Sequence, residues 1–280
     1  MIMKKLKFYL AGLALIGFTL YSCDNDDDNT EEFNDSEMLR TAAVIDRINQ
    51  EDFQFGMETA NDESALDSRP SSLSQTSSVS CATVTQTSVG NEFPRTFEVD
   101  FGTGCTHNGV TRSGKLIITF SNFLLATGST MTIERENYVV NGYEIEGTVT
   151  FTNQTTGDVP QWTRTVTGGQ VTTPDGGVYT HTGTRTIRQI EGAATPFIMI
   201  DNTFEVSSGT ATVTRPNGTS LTATITTPLI KHATCANISA GVMHLEGTFL
   251  NGDLDYGDDT CDNIAVYTHV DGTTHTVTLN

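Results

Sequence analysis

Positive charge is scarce in this chain: 15 Lys+Arg stand against 34 Asp+Glu in 280 residues, a formal net charge of −19. So acidic a surface repels phosphate, and no basic stripe offsets it, which excludes nucleic-acid binding as a role. Long apolar runs are scarce too. Only the stretch from Phe8 to Leu20 approaches the length of a span, so a multi-pass helical membrane protein is excluded. The motifs that announce catalysis are missing: no Gly-x-Ser-x-Gly elbow, no His-Glu-x-x-His pair and no phosphate-cradling loop. The five cysteines lie far apart, not in the Cys-x2–4-Cys pairs of structural zinc sites. The expectation is a non-enzymatic protein without a cofactor. Thr is what the chain has in plenty, 48 of its residues. Val, Ile, Leu, Tyr and Phe recur between the threonines in short alternating runs, which excludes full disorder and leaves enough for a sizeable core.

The first 22 residues read as a processing segment. Lys4, Lys5 and Lys7 form a positive start, Phe8 to Leu20 an apolar stretch, and Leu20-Tyr21-Ser22-Cys23 closes it. Behind Cys23 stand Asp24, Asp26, Asp27, Asp28, Glu31 and Glu32. This combination resembles the lipobox and acidic export signal of surface-exposed lipoproteins of Bacteroidota. The resemblance implies a signal peptide over 1–22, a lipid on Cys23, an acidic tether over 23–33, and display on the outer membrane facing outward. Removing 1–22 deletes Lys4, Lys5 and Lys7 and no acid, taking the charge from −19 to −22. Such a chain is held off an anionic membrane by its own charge, so the lipid must be its membrane partner.

Downstream, Asn34 to Gln50 reads as one short helix. Asn34 and Glu37 are spaced as in a capping box, and Met38, Ala42, Ile45 and Ile48 make a narrow apolar face that packs lightly or not at all. A Ser-rich linker is expected over 60–80, completing a 34–80 segment, and an all-β domain over 81–280. Candidate strands lie near 82–89, 95–101, 113–121, 130–140, 143–153, 161–173, 177–190, 197–207, 210–215, 219–227, 240–249, 264–270 and 274–279. Asn141-Gly142, Asp175-Gly176-Gly177, Asn217-Gly218, Asn251-Gly252 and Asp271-Gly272 supply turns. Thr at every second position (163/165/167, 180/182/184/186, 222/224/226) marks a wet face of antiparallel sheet. Short connections predict a meander, folded as a β-sandwich or as an open, strongly curved sheet. Register resolves one turn: a three-residue loop Pro216-Asn217-Gly218 sets Val213 opposite Leu221 and Ala211 opposite Ala223, whereas a two-residue loop would mix faces.

The remaining cysteines belong to a repeat. Cys81-Ala82-Thr83-Val84 is echoed by Cys235-Ala236-Asn237-Ile238, and Val99-Asp100-Phe101-Gly102 with Cys105 by Leu254-Asp255-Tyr256-Gly257 with Cys261. The repeat favours Cys81–Cys105 and Cys235–Cys261; the alternative joins first and last strands across the fold. The stretch from Leu254 to Asn263 looks like the tail of uncharacterised flavobacterial lipoproteins, a resemblance that implies no activity.

Four constellations could carry function. Asp253, Asp255, Asp258 and Asp259 crowd oxygens around a glycine turn, as Ca²⁺ requires. But Tyr256 stands where an EF-hand has its Gly and the matching repeat at Asp100 has one acid only, so a solvated turn with Asp capping its own backbone is the commoner outcome. His269 and His275 flank Asp271-Gly272, and only a three-residue loop would bring them face to face. Glu144 and Glu146 are acids two apart on a strand, useful to a glycosidase only across a cleft. Trp162, Tyr179, Phe197 and Tyr256 could form a sugar-stacking platform if exposed. The leading expectation is a binding or scaffolding protein with an unidentified extracellular ligand or protein partner. Alternatives are a lipid or small-ligand carrier with an apolar cavity under a curved sheet, a glycan-binding module, and a hydrolase without a recognisable motif.

Overall fold

The computed structural model describes residues 36–66, 75–76, 81–107 and 109–279; the leader, Cys23, the acidic tether, Asn34 and most of the linker lie outside the described residues. One helix, α1 (Ser36–Leu66), precedes fifteen strands: β1 (Gln75–Thr76), β2 (Thr83–Gln86), β3 (Arg95–Asp100), β4 (Cys105–His107), β5 (Val110–Phe120), β6 (Thr130–Val140), β7 (Tyr143–Asn153), β8 (Gln161–Thr172), β9 (Val178–Glu191), β10 (Thr203–Thr214), β11 (Ser220–His232), β12 (Ala240–Gly247), β13 (Asn251–Asp258), β14 (Ile264–His269) and β15 (Thr274–Thr278). All belong to one antiparallel sheet in sequence order, except that β4 stands off the path and pairs only with β5. The expected open, curved meander is what forms, and it is a single sheet, not the two layers of a sandwich.

The helix is where expectation and structure part. It runs for 31 residues instead of ending at Gln50, and every side chain from Thr41 to Phe53 is buried. The sheet curls around it. Phe53 meets Phe151 on β7, Trp162 on β8 and Phe204 on β10 at centroid distances of 4.8, 5.1 and 5.5 Å. Phe55 meets Phe101 just beyond β3, and Ala43 and Val44 face Tyr256 on β13 and Leu279. A Cβ on Gly56 would fall 2.2 Å from the Met131 sulfur, so the missing side chain is what lets the helix approach β6. Small residues on β9 to β11 do the same elsewhere: Gly183, Ala211 and Ala223 back onto Ala42 and Ile45. These small inward residues are thus the complement of a helix, not of a neighbouring layer. The segment expected as linker also contributes structure, since α1 extends to Leu66 and Gln75–Thr76 pairs with β2.

Strand periodicity explains the rest. On β6 and β7, Met131, Ile133, Tyr138, Ile145, Val149 and Phe151 point inward. Outside runs a row of directly opposed threonines, Thr96, Thr119, Thr132, Thr150, Thr165, Thr184, Thr210 and Thr224, across eight successive strands. β-branched side chains suit that exposed pleat. The Asn141-Gly142 turn has both residues at positive φ, as a two-residue hairpin needs. The Pro216-Asn217-Gly218 loop sets Val213 opposite Leu221 and Ala211 opposite Ala223, as the register required. The two segments read as 197–207 and 210–215 meet in one strand, β10, which begins only at Thr203. Its register shifts between Val206 and Ser208 against β9 and between Val206 and Thr210 against β11, next to Gly209 (φ +124°), where a Cβ would lie 2.1 Å from the Thr184 carbonyl oxygen. Both disulfides follow the repeat, Cys81–Cys105 and Cys235–Cys261, each with Cα atoms 5.4 Å apart.

Candidate functional site

α1 carries its charges inside. Asp46 lies between two guanidinium groups, 2.5 Å from Arg164 Nη2 on β8 and 3.0 Å from Arg185 Nη2 on β9. Burial pushes its carboxyl up, but Arg185 and Arg164 outweigh that and hold it at about 2. Asp52 accepts from Arg135 at 2.6 Å and from the Tyr138 hydroxyl at 2.9 Å, both on β6. Glu51 uses one oxygen for Arg47 at 2.9 Å and the other for Arg112 on β5 at 2.5 Å. Cations from four strands therefore fix the rotation and height of the helix, because each acid finds its partner in one position only.

His181 on β9 sits among these cations, 3% exposed, with its Nε2 unpartnered. Burial first, then Arg135 and Arg164, lower its pKa from 6.5 to about 4. The unfolded chain therefore takes up this proton more readily than the folded one. Stability contributed by the neutral ring is complete above pH 6.5 and is lost as pH falls towards 4, an effect of about 3 kcal/mol for a shift of this size. His181→Leu should flatten the dependence of the melting temperature on pH between 6.5 and 4; an unchanged slope would assign the acid sensitivity to other groups.

A cavity of about 360 Å³ opens where one limb of the sheet passes the other without pairing. Its floor is α1, through Glu51, Gln54, Phe55 and Glu58. One wall is His107, Val110 and Arg112 from β4 and β5; the other is Lys231 at the end of β11, the turn from Ala233 to Ala236, and Met199 and Ile200. Lys231 is 2% exposed. Its ammonium donates to the carbonyls of His232 and Cys235, and burial first lowers its pKa to about 8 against the pull of Glu51. Arg112 lies over the Phe55 ring at 4.9 Å, and its Nε has no partner. None of these residues stands out in the sequence by motif. The one signal is phase: Arg112, Arg164, Arg185 and Lys231 occupy inward positions of alternating strands, where apolar side chains are the rule.

The residues singled out from sequence are dispersed. Asp253 and Asp255 stand on the outer face of β13, not in a loop. The expected Asn251-Gly252 turn is absent; the hairpin turns between Gly247 and Leu250, Asn251 opens β13, and Gly252 lies so close to β14 that a Cβ there would fall 2.1 Å from the Thr268 carbonyl oxygen. The four aspartates take separate partners: Asp253 holds His244 at 2.8 Å, Asp255 caps the Gly257 amide, Asp258 accepts from Thr260, and Asp259 accepts from Ser239 and pairs with His232. They do not converge on a cation, and no group of three or more metal-ligating side chains occurs among the described residues. The loop Val270-Asp271-Gly272 has three residues, and His269 and His275 share a face, both against Tyr267. Trp162, Tyr179 and Tyr256 are buried and Phe197 partly so, which removes the stacking platform. Glu144 and Glu146 are exposed on the outer face, not across a cleft.

The chain matches no protein-family model, no curated protein and no solved structure.

Proposed function

We propose that this chain is a lipid-anchored protein displayed outside the cell that acts by binding and not by catalysis. The observation that carries the reading is how the interior is filled. α1 occupies the axis that a lipocalin-like carrier would keep open, with Ile45, Ile48, Phe53 and Met57 packed against the sheet. The acids available for proton transfer, Asp46, Glu51 and Asp52, are each held by cations, which favours a structural use over turnover. What faces solvent is the outer face of an open, curved sheet of Thr-rich strands, and the cavity beside α1.

Anchoring rests on the lipobox-like Leu-Tyr-Ser-Cys23 and the acids behind it. Cys23→Ala should move the protein from the membrane fraction to the soluble fraction, and external protease on intact cells should digest the native protein. Retention of the variant in membranes, or full protection in intact cells, would contradict surface anchoring.

A further inference from the structure

We propose that the cavity between α1, β5 and β11 binds a small monocarboxylic acid with an apolar tail. This inference deepens the binding reading and rests on it. The two buried side-chain atoms of the lining without a hydrogen-bond partner are both donors: the Nε–H of Arg112, itself 5% exposed, and the amide nitrogen of Gln54. Lys231 adds a third, because its ammonium has three protons and two carbonyls accept from it. A ligand that brings acceptors satisfies all three; one that brings donors satisfies none.

Charge points the same way. Both oxygens of Glu51 are engaged by Arg47 and Arg112. The lining carries Arg112 and Lys231 against Glu51 and Glu58; of the two cations, Lys231 hydrogen-bonds only to neutral carbonyls, so its charge is the one a ligand carboxylate balances. The remaining lining supplies the tail's environment. Phe55 and Val110 are buried, Met199 is half-buried, and Ile200 stands 78% exposed beside the mouth. An isoleucine that exposed, next to an opening with paired cations at its base, gives the site an apolar rim above a polar floor. The volume, about 360 Å³, is at the small end of the ligand-pocket range of roughly 300–1,000 Å³, which suits a short chain and not a membrane lipid.

Calorimetric titration of the full chain with sodium octanoate at pH 7, with 1-octanol as the tail-only control, tests this. Octanoate should bind with one site per chain and raise the melting temperature, and octanol should bind at least tenfold more weakly. Arg112→Lys, which keeps a cation for Glu51 but removes the Nε donor, should weaken octanoate at least tenfold. Should that variant fold poorly, Ala236→Trp remains: Ala236 is exposed on the mouth, and the indole should block entry without touching the core. Affinity should also fall between pH 7 and 9 as Lys231 loses its proton among Arg47, Glu51, Glu58, His107, Arg112 and His232. No octanoate binding to the folded chain, equal binding of octanol, or unchanged binding to Ala236→Trp would each overturn the proposal. Such a failure with Cys23-dependent anchoring intact removes the ligand and leaves the surface-anchored reading standing.

Discussion

Asp46→Asn should destabilise the protein by about 3–5 kcal/mol, the cost of breaking a buried ion pair from one side. The amide keeps the size of the carboxylate but not its charge, leaving Arg164 and Arg185 facing one another, 4% and 1% exposed at their side chains, with no anion between them. For a chain of this size the loss corresponds to roughly 10 °C in melting temperature. Since whole domains hold only about 5–15 kcal/mol, the variant should be recovered in low yield. Chemical denaturation of wild type and variant at pH 7 measures it. A difference below about 1 kcal/mol would mean that the acid behaves as a surface charge and that the helix is not seated as described.

Phe53→Ala should cost as much by a different route, about 3–5 kcal/mol. The ring is fully buried and contacts Phe151, Trp162 and Phe204 on three strands. Those strands are held apart by their own hydrogen-bonded ladders, so the void left by truncation cannot collapse, and both the transfer energy and the lost packing are forfeited. Trp162 is the only tryptophan, so its emission reports directly on this contact. Emission should shift to the red and the denaturation midpoint should fall. Native emission and an unmoved midpoint would place Phe53 outside the core.

These two substitutions mark what sequence reasoning could not reach. Strand content, turn chemistry and local register are properties of near neighbours, and they were legible: Thr130–Val140 and Tyr143–Asn153 have the expected bounds, and the loop at Pro216-Asn217-Gly218 follows from which residues must share a face. The cystine pairs were legible because a repeat declared them. The helix was not. Its apolar stripe is narrow, and its remaining faces carry Asp46, Arg47, Asn49, Gln50, Glu51 and Asp52, which read as solvated when α1 is considered alone. Asp46, Glu51 and Asp52 are buried because cations 61 to 139 positions away complete them, Arg112 for Glu51, Arg135 for Asp52, and Arg164 and Arg185 for Asp46. Nothing local to either partner encodes that match. The cavity was hidden for the same reason, its cations being visible only as inward-phase exceptions on β5 and β11.

β13 was lost to a competing pattern. Asn251, Asp253 and Asp255 alternate with Gly252, Leu254 and Tyr256, whose inward positions are buried. That is the period of a strand, yet the run of Asp, Asn and Gly reads as a turn, which is why 251–258 is missing from the expected strands. Alternation was the better guide, since acids at every second position of an exposed face diverge from one another along the pleat.

Hydrogen exchange of the α1 amides in the native protein tests most directly whether a helix is the core of this sheet. If α1 is enclosed by the sheet and pinned by Asp46, Glu51 and Asp52, amides from Ala42 to Phe53 should exchange only through global unfolding, as slowly as those of β7 to β10. Exchange of that segment within seconds, while the strands remain protected, would show a helix lying loosely on the surface and would contradict the account.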